Sequence, residues 1–340
     1  MNRLALLVVA VCAPWLMAFA PPAFVDGTGG RSSASARVLN EARLAGTGPT
    51  IAARAAITLD VETGQTLFQR EADRELPIAS TTKLMTALVA VERVNLDQRV
   101  AASVAAADLP GHSVAGLVRG DALPMREMLY GLLLPSGNDA ALSIAQSVSG
   151  GVEPFVRLMN ERAQGLGLAH TRFTNPHGFD AAGHYGSARD LARLAAKVLE
   201  QPFLRDVVAT KEHVARGQET YRWTNLNRML WLRADATGLK TGTTDAAGPS
   251  LVASADRAGR TVIAVLLNSP DRWSEAEALL AHGFSDFTII GDRISSPFFR
   301  DVAIDRSTRL TVPAWQARLW RLEPIVESSG RVTGFRLAPG

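Results

Sequence analysis

From Ala53 onward the spacing of apolar positions shows where the chain changes from strand to helix. Ala56-Ile57-Thr58-Leu59-Asp60-Val61, a Thr63-Gly64 turn and Thr66-Leu67-Phe68 predict a β-hairpin. Pro77 then precedes a stretch in which Leu84, Met85, Leu88 and Val89 recur at three- and four-residue intervals, the mark of a helix with one buried face. The same period predicts helices over residues 125–134, 139–148 (with Ala141, Ile144 and Ala145 on one face), 152–166 and 188–199. Toward the end, residues 250–255 and 261–268 are apolar strand-like runs joined by the turn Asp256-Arg257-Ala258-Gly259, and residues 275–284 return to helix. Strands at both ends with helices between them predict an α+β fold: one antiparallel sheet closed by the two ends of the domain, carrying an inserted helical region.

The flanks read differently. Arg3 precedes an almost wholly apolar run over residues 4–20, and Ala18-Phe19-Ala20 offers a small-x-small cleavage site. Residues 1–20 are therefore expected to be an export signal, placing the protein in the periplasm or cell envelope. Residues 21–52 read as a linker or arm, and residues 53–287 as the catalytic domain. Residues 288–340, punctuated by Pro297, Pro313, Pro324 and Pro339, read as a small β appendage. Trp315 to Leu322 is expected to belong to the core of that appendage, being too short to anchor a protein in a membrane. No long amphipathic helix closes the sequence, so membrane attachment by that route is not implied.

Composition narrows the chemistry. The formal net charge is only +3, with no run of basic residues, so no nucleic-acid partner is implied. The one cysteine, Cys12, lies within the leader, so the domain behind it has neither a disulfide nor a thiolate nucleophile. No His-Glu-x-x-His or similar spacing suggests a metal, and no cofactor is implied.

Lysine is scarce: of 36 basic residues only Lys83, Lys197, Lys211 and Lys240 are lysines. Arginine keeps its proton at any ordinary pH, whereas a buried lysine can give its proton up. Two of the four lysines stand in motifs. In Ser80-Thr81-Thr82-Lys83, residues three apart on a helix share a face, so the Ser80 hydroxyl and the Lys83 amine become neighbours. A desolvated amine can then take the proton that keeps a serine from being a nucleophile. Ser136-Gly137-Asn138 opens the helix after Leu134-Pro135. There Ser136 can pass a proton to a leaving amine and Asn138 can hold a substrate amide. Lys240-Thr241-Gly242 reads as a strand on which Lys240 and Thr241 bind a carboxylate, and Gly242 lets a substrate backbone approach. Each motif alone also fits a helix cap or a surface turn. The three in this order form the signature of serine penicillin-recognising enzymes.

The chain resembles the low-molecular-mass penicillin-binding proteins, the D-alanyl-D-alanine carboxypeptidases, over roughly residues 53–287. The likeness extends to Leu134-Pro135-Ser136-Gly137-Asn138-Asp139-Ala140-Ala141, to Asn175-Pro176-His177-Gly178, and to His184-Tyr185-Gly186-Ser187-Ala188-Arg189-Asp190, where Gly186 replaces the usual serine. Asn225-Leu226-Asn227 also fits. The resemblance implies a five-stranded antiparallel sheet flanked by helices, of the penicillin-binding transpeptidase and β-lactamase kind. It implies acylation of Ser80 by the penultimate D-Ala of a peptidoglycan stem peptide, or by a β-lactam. Lys83 would be the general base, and the N–H groups of Ser80 and Thr243 the oxyanion hole. Arg272 is a secondary candidate for the substrate carboxylate, set against a surface role. His177 and His184 are expected to be structural, because Ser80 and Lys83 already supply nucleophile and base. An endopeptidase cleaving cross-links would use the same groups. A class A β-lactamase would instead place Asp where Gly137 stands, and would add a Glu-x-x-Leu-Asn segment that is not found.

Overall fold

The computed structural model describes residues 48–290, 310–314, 317, 320–326 and 332–339. The export signal, Cys12 and residues 21–47 of the arm lie outside the described residues. The predicted hairpin is β1 (Ala55–Asp60) and β2 (Thr66–Arg70). A single 3₁₀ turn, Ala79–Thr82, leads into α1 (Lys83–Arg93), which buries Leu84, Met85 and Leu88 completely. Each of those side chains contributes roughly 1.5–3 kcal/mol to folding.

The inserted region then follows. Two short strands, β3 (Arg99–Ala101) and β4 (Ala122–Pro124), form a ribbon before α2 (Met125–Leu133), α3 (Asn138–Ser149) and α4 (Val152–Gly165). α5 (Ala188–Leu199) starts on Ser187, whose hydroxyl accepts the Asp190 N–H at 3.2 Å, the ordinary N-cap bond. A second ribbon, β5 (Glu212–Arg216) and β6 (Thr220–Thr224), follows α6 (Pro202–Ala209). Neither ribbon is anticipated in the sequence reading. The β3–β4 strands are too short to show a period, although Tyr221 and Trp223, both buried on β6, do alternate with exposed polar neighbours.

After the single-turn α7 (Met229–Leu232) the chain re-enters the sheet as β7 (Ala236–Gly242), β8 (Ser250–Arg257) and β9 (Arg260–Leu267). α8 (Arg272–Ser285) then covers the sheet. The five strands form one antiparallel sheet in the order β2-β1-β9-β8-β7. This is the expected α+β architecture: the hairpin from the start of the domain pairs with β9 from its end, and β7 is left on an edge. One core lies between the sheet and the helical region, and a second between the sheet and α8. Ile51 is buried, and the Ala52 and Ala53 N–H groups donate to the Glu275 carboxylate, the latter at 3.2 Å.

In the tail, β10 (Phe287–Ile290) pairs with β11 (Leu310–Pro313), and β12 (Trp320–Val326) with β13 (Val332–Pro339). β11 rests on the β1–β2 turn: the Thr63 and Thr311 hydroxyls are 2.6 Å apart, and Gln65 Oε1 accepts the Thr311 N–H. Trp320 to Leu322 begin β12, while Trp315 and Gln316 lie outside the described residues. No helix among the described residues is long and apolar enough to cross a membrane.

Candidate active site

Ser80 sits in the 3₁₀ turn and Lys83 begins α1, so the nucleophile candidate lies just ahead of the α-helix rather than within it. A 3₁₀ turn also brings residues three apart onto one side. Lys83 Nζ lies 2.9 Å from Ser80 Oγ. It also donates to Asn138 Oδ1 and to the His177 carbonyl, each at 2.7 Å. An amide oxygen and a backbone carbonyl can only accept, so these two partners hold two N–H bonds. The third direction on the nitrogen faces Ser80. In the ammonium form that direction is another N–H; in the neutral amine it is the lone pair that can take a proton.

Burial shifts the balance toward the neutral form. Lys83 is 0% exposed, and burial holds its amine well below the ordinary lysine range. The positive charge of Lys240 pushes the same way, and only Asp139 opposes it. Asp139 is committed elsewhere: Oδ1 accepts from Ala115 and Ala140 N–H at 2.7 and 2.9 Å, and Oδ2 from Leu117 N–H at 2.9 Å. Those bonds, with Asn138 N–H to Ser113 O at 3.0 Å, tie the 113–117 segment to the start of α3. Because Asn138 gives its Oδ1 to Lys83, its Nδ2 points away from the base. Two residues earlier, Ser136 has φ of 64°, in the left-handed region, and is 3% exposed; its Oγ has no hydrogen-bond partner among the described residues. A buried hydroxyl without a partner is a cost that the fold alone does not explain.

The third motif arrives on β7, the edge strand, where Lys240, Thr241 and Gly242 pair with Val252, Leu251 and Ser250 of β8. Lys240 is 1% exposed and donates to the Thr241 carbonyl at 3.2 Å. Burial, and then the charge of Arg272, push its pKa down to about 7. The Thr241 hydroxyl has no partner among the described residues. Gly242 passes directly over the nucleophile: a Cβ there would lie 3.1 Å from the Ser80 nitrogen and 3.1 Å from the Ala79 Cβ. A side chain at this position would wedge the strand away from Ser80. Thr243 follows, exposed, with its hydroxyl donating to the Gly242 carbonyl at 2.7 Å.

Three further contributors appear, of which the sequence names Arg272 only as a secondary candidate and Gly178 only within its turn. The surface role weighed for Arg272 does not hold. Its Nη1 donates to Gly242 O at 3.0 Å, to Thr243 Oγ1 at 3.0 Å and to Ser250 O at 3.1 Å. Its guanidinium lies 4.8 Å from the Trp273 ring centre. Nothing local in the sequence marks this residue, because β8 and β9 separate it from the strand it grips. The second contributor is the His177 carbonyl, a main-chain atom with no side-chain signature. The third is Gly178, where φ is 93° and a Cβ would lie 1.9 Å from the Ala79 carbonyl oxygen. It backs the peptide that presents Ser80, and its place in the Asn-Pro-His-Gly turn was the only cue to it.

Both histidines, expected from the sequence to be structural, hydrogen-bond within the turns around them. His184 Nδ1 accepts the Thr174 N–H at 3.0 Å, so its proton is on Nε2, 2.8 Å from Thr82 Oγ1. Burial depresses its pKa to about 4. The His177 Nδ1 accepts from Phe179 N–H at 3.2 Å, and burial, followed by the charge of Lys83, holds that ring's pKa at about 3. Neither ring bonds to Ser80 among the described residues.

The comparisons agree with this geometry. The pattern of the D-alanyl-D-alanine carboxypeptidase family matches residues 42–271. D-alanyl-D-alanine carboxypeptidase DacF of Bacillus subtilis is 32% identical over 282 residues, covering 80% of this chain and 69% of its own length. The D-alanyl-D-alanine carboxypeptidase of Streptomyces sp. (strain K15) is 36% identical over 262 residues, covering 70% of this chain and 89% of its own. The crystal structure of penicillin binding protein 6B from Escherichia coli superimposes with a TM-score of 0.73 at 30% identity, covering 84% of this chain and 91% of that one. A hydroxyl paired with a buried amine, the three motifs gathered at one sheet edge, and a family pattern spanning most of the folded domain together establish that this chain belongs to the D-alanyl-D-alanine carboxypeptidase family.

Proposed function

We propose that the protein is an exported serine-type carboxypeptidase that removes the terminal D-Ala from peptidoglycan stem peptides, and that β-lactams acylate the same serine. The observation that carries this reading is the 2.9 Å contact of Ser80 Oγ with a buried Lys83 amine whose other two partners only accept. Ser80 Oγ attacks the carbonyl carbon of the penultimate D-Ala while Lys83 takes its proton. The carbonyl electron pair moves onto oxygen, where the N–H groups of Ser80 and Thr243 hold it. Collapse breaks the C–N bond. The proton on Lys83 passes by way of the Ser136 hydroxyl to the leaving amine, and free D-Ala departs. Water then attacks the ester with Lys83 again as base, restoring Ser80. Asn138 Nδ2 holds the substrate amide, Lys240 and Thr241 take the terminal carboxylate, and Gly242 admits the substrate backbone against edge strand β7. In this reading residues 53–287 are the catalytic domain, residues 1–20 the export signal to the cell envelope, residues 21–52 an arm and residues 288–340 a β appendage.

Mass spectrometry after exposure to penicillin tests the assignment. One covalent adduct is expected on Ser80, with none on the Ser80→Ala protein, alongside release of D-Ala from a peptide ending in D-Ala-D-Ala. A wild-type protein that stays unmodified and releases no D-Ala defeats the proposal.

The two lysines impose opposite pH requirements. Lys83 works as a base when neutral, so its contribution grows as pH rises. Lys240 attracts a carboxylate when protonated, so its contribution fades as pH rises through about 7. The expected kcat/KM profile is a bell whose alkaline limb belongs mainly to Lys240. Because the Lys240 charge also holds the Lys83 amine down, the limbs are properties of the pair. Lys240→Arg keeps its charge, and its profile should lose the alkaline limb, whatever its absolute height. D-Ala release measured from about pH 5 to 10 decides it; a wild-type profile still climbing at the alkaline end contradicts the role given to Lys240.

A further inference from the structure

The turn at residues 175–180 grips both walls of the cleft. Asn175 closes it: Oδ1 accepts from His177 and Gly178 N–H at 3.3 and 2.6 Å, and Nδ2 donates to Phe179 O at 3.0 Å. On the helical side, Pro176 O accepts from Thr86 Oγ1 at 2.6 Å, His177 O accepts from Lys83, and Gly178 packs on the peptide before Ser80. On the sheet side the next contact belongs to Asp180. Its Oδ1 accepts from Thr244 Oγ1 at 2.7 Å and its Oδ2 from Ala246 N–H at 3.1 Å. Thr244 in turn organises its own turn, with Oγ1 accepting from Ala247 N–H at 3.2 Å and its carbonyl from Gly248 N–H at 3.0 Å.

This matters because the β7–β8 ladder stops at Gly242 and Ser250. Among the described residues no strand pairing fixes the backbone beyond Gly242, yet Thr243 is the residue proposed to supply the second oxyanion N–H. Such a donor must be placed to within a few tenths of an ångström. We infer that Asp180 is a positioning residue for catalysis, a latch across the cleft mouth that braces the 243–248 turn against the turn backing Ser80 and so sets the Thr243 peptide. The latch is exposed, and exposed hydrogen bonds to a carboxylate add little to global stability. Its loss should therefore register in the chemistry rather than in folding.

This inference rests on the acyl-enzyme reading, and its test keeps the two apart. The full chain is acylated by a fluorescent penicillin in a stopped-flow instrument, as wild type, Asp180→Asn, Thr244→Val, the double variant and Thr244→Ser. Thr244→Val removes the donor at nearly constant shape and is expected to slow acylation about tenfold. Its melting temperature should move by less than about 2 °C. With peptide substrate, kcat should fall while KM holds. Thr244→Ser, which keeps the hydroxyl, should return to within about twofold of wild type, and the double variant should be no slower than the slower single one. Wild-type acylation rates in both single variants, or losses that simply multiply, overturn the latch and leave the parent reading intact. A wild type that takes no penicillin on Ser80 overturns both.

Discussion

Lys83→Met is expected to slow acylation by penicillin on the order of 10³-fold, and to erase the acid limb of the pH profile together with the rate. Methionine fills much of the same space but offers no lone pair to Ser80. The remaining groups can still bind the ligand and hold an oxyanion, so a slow reaction that keeps only the alkaline fall of Lys240 should persist, measurable by intact mass over hours. The stability of the variant carries a second reading. In the folded protein the Lys83 amine is held well below its ordinary 10.5. Over the pH range between that depressed folded value and 10.5, the unfolded chain binds a proton that the folded chain does not, so folding of the wild type strengthens as pH rises through the window. Below it the lysine carries its full penalty; above it the penalty is gone. Methionine has no such dependence. The difference in melting temperature should therefore shift in favour of the wild type as pH rises, a trend a merely surface lysine would not produce. A variant acylated within about tenfold of the wild-type rate would remove Lys83 from the role of base.

Gly178→Ala should be nearly as damaging, for a reason that involves no chemistry of its own. The new Cβ would lie 1.9 Å from the Ala79 oxygen and 2.9 Å from the Ser80 nitrogen, at a φ of 93°. Ala79 already sits at φ 48°, so the peptide ahead of Ser80 has little room to yield. Either the turn at 175–180 opens or the nucleophile moves. Displacement of a reacting group by about 1 Å can cost 10²-fold in rate. We expect a loss of that order in acylation for the fraction still folded, with a loss of about 2–4 kcal/mol in stability. Gly183→Ala is the control: its φ is 77°, but the nearest atom to a Cβ is 3.8 Å away. It should show the backbone penalty in its melting curve and acylate at the wild-type rate. If the two variants acylate alike, close packing behind Ser80 is not what holds the nucleophile.

The local features were legible because each rests on a short-range period. A three-residue interval suffices to pair Ser80 with Lys83 whether the turn is α or 3₁₀. The alternation of residues 56–68 marks the hairpin, and the apolar spacing of residues 84–89 marks the face that α1 buries. The scarcity of lysine singles out Lys83 and Lys240 without any geometry. Other features left no such trace. Arg272 reaches the third motif only because α8 begins beside the open end of β7. The His177 carbonyl joins the site through a main-chain atom. Asp180 matters through a partner on the opposite wall, and no periodicity along the chain predicts which turns will meet across a cleft.

The amino-acid sequence by itself determined the first hairpin, the main helices, the three motifs and the chemical type of each group, since these depend on neighbours within a few residues, while the two short ribbons are not anticipated there. Only the tertiary structure decided that Lys83 is stripped of water and held beneath the Lys240 charge, that Gly242 passes against the Ser80 nitrogen, and that Arg272 and Asp180 converge on the turn after β7. Burial and electrostatic coupling are set by residues distant along the chain, and proximity in space exists only once the sheet has closed around its helical insertion.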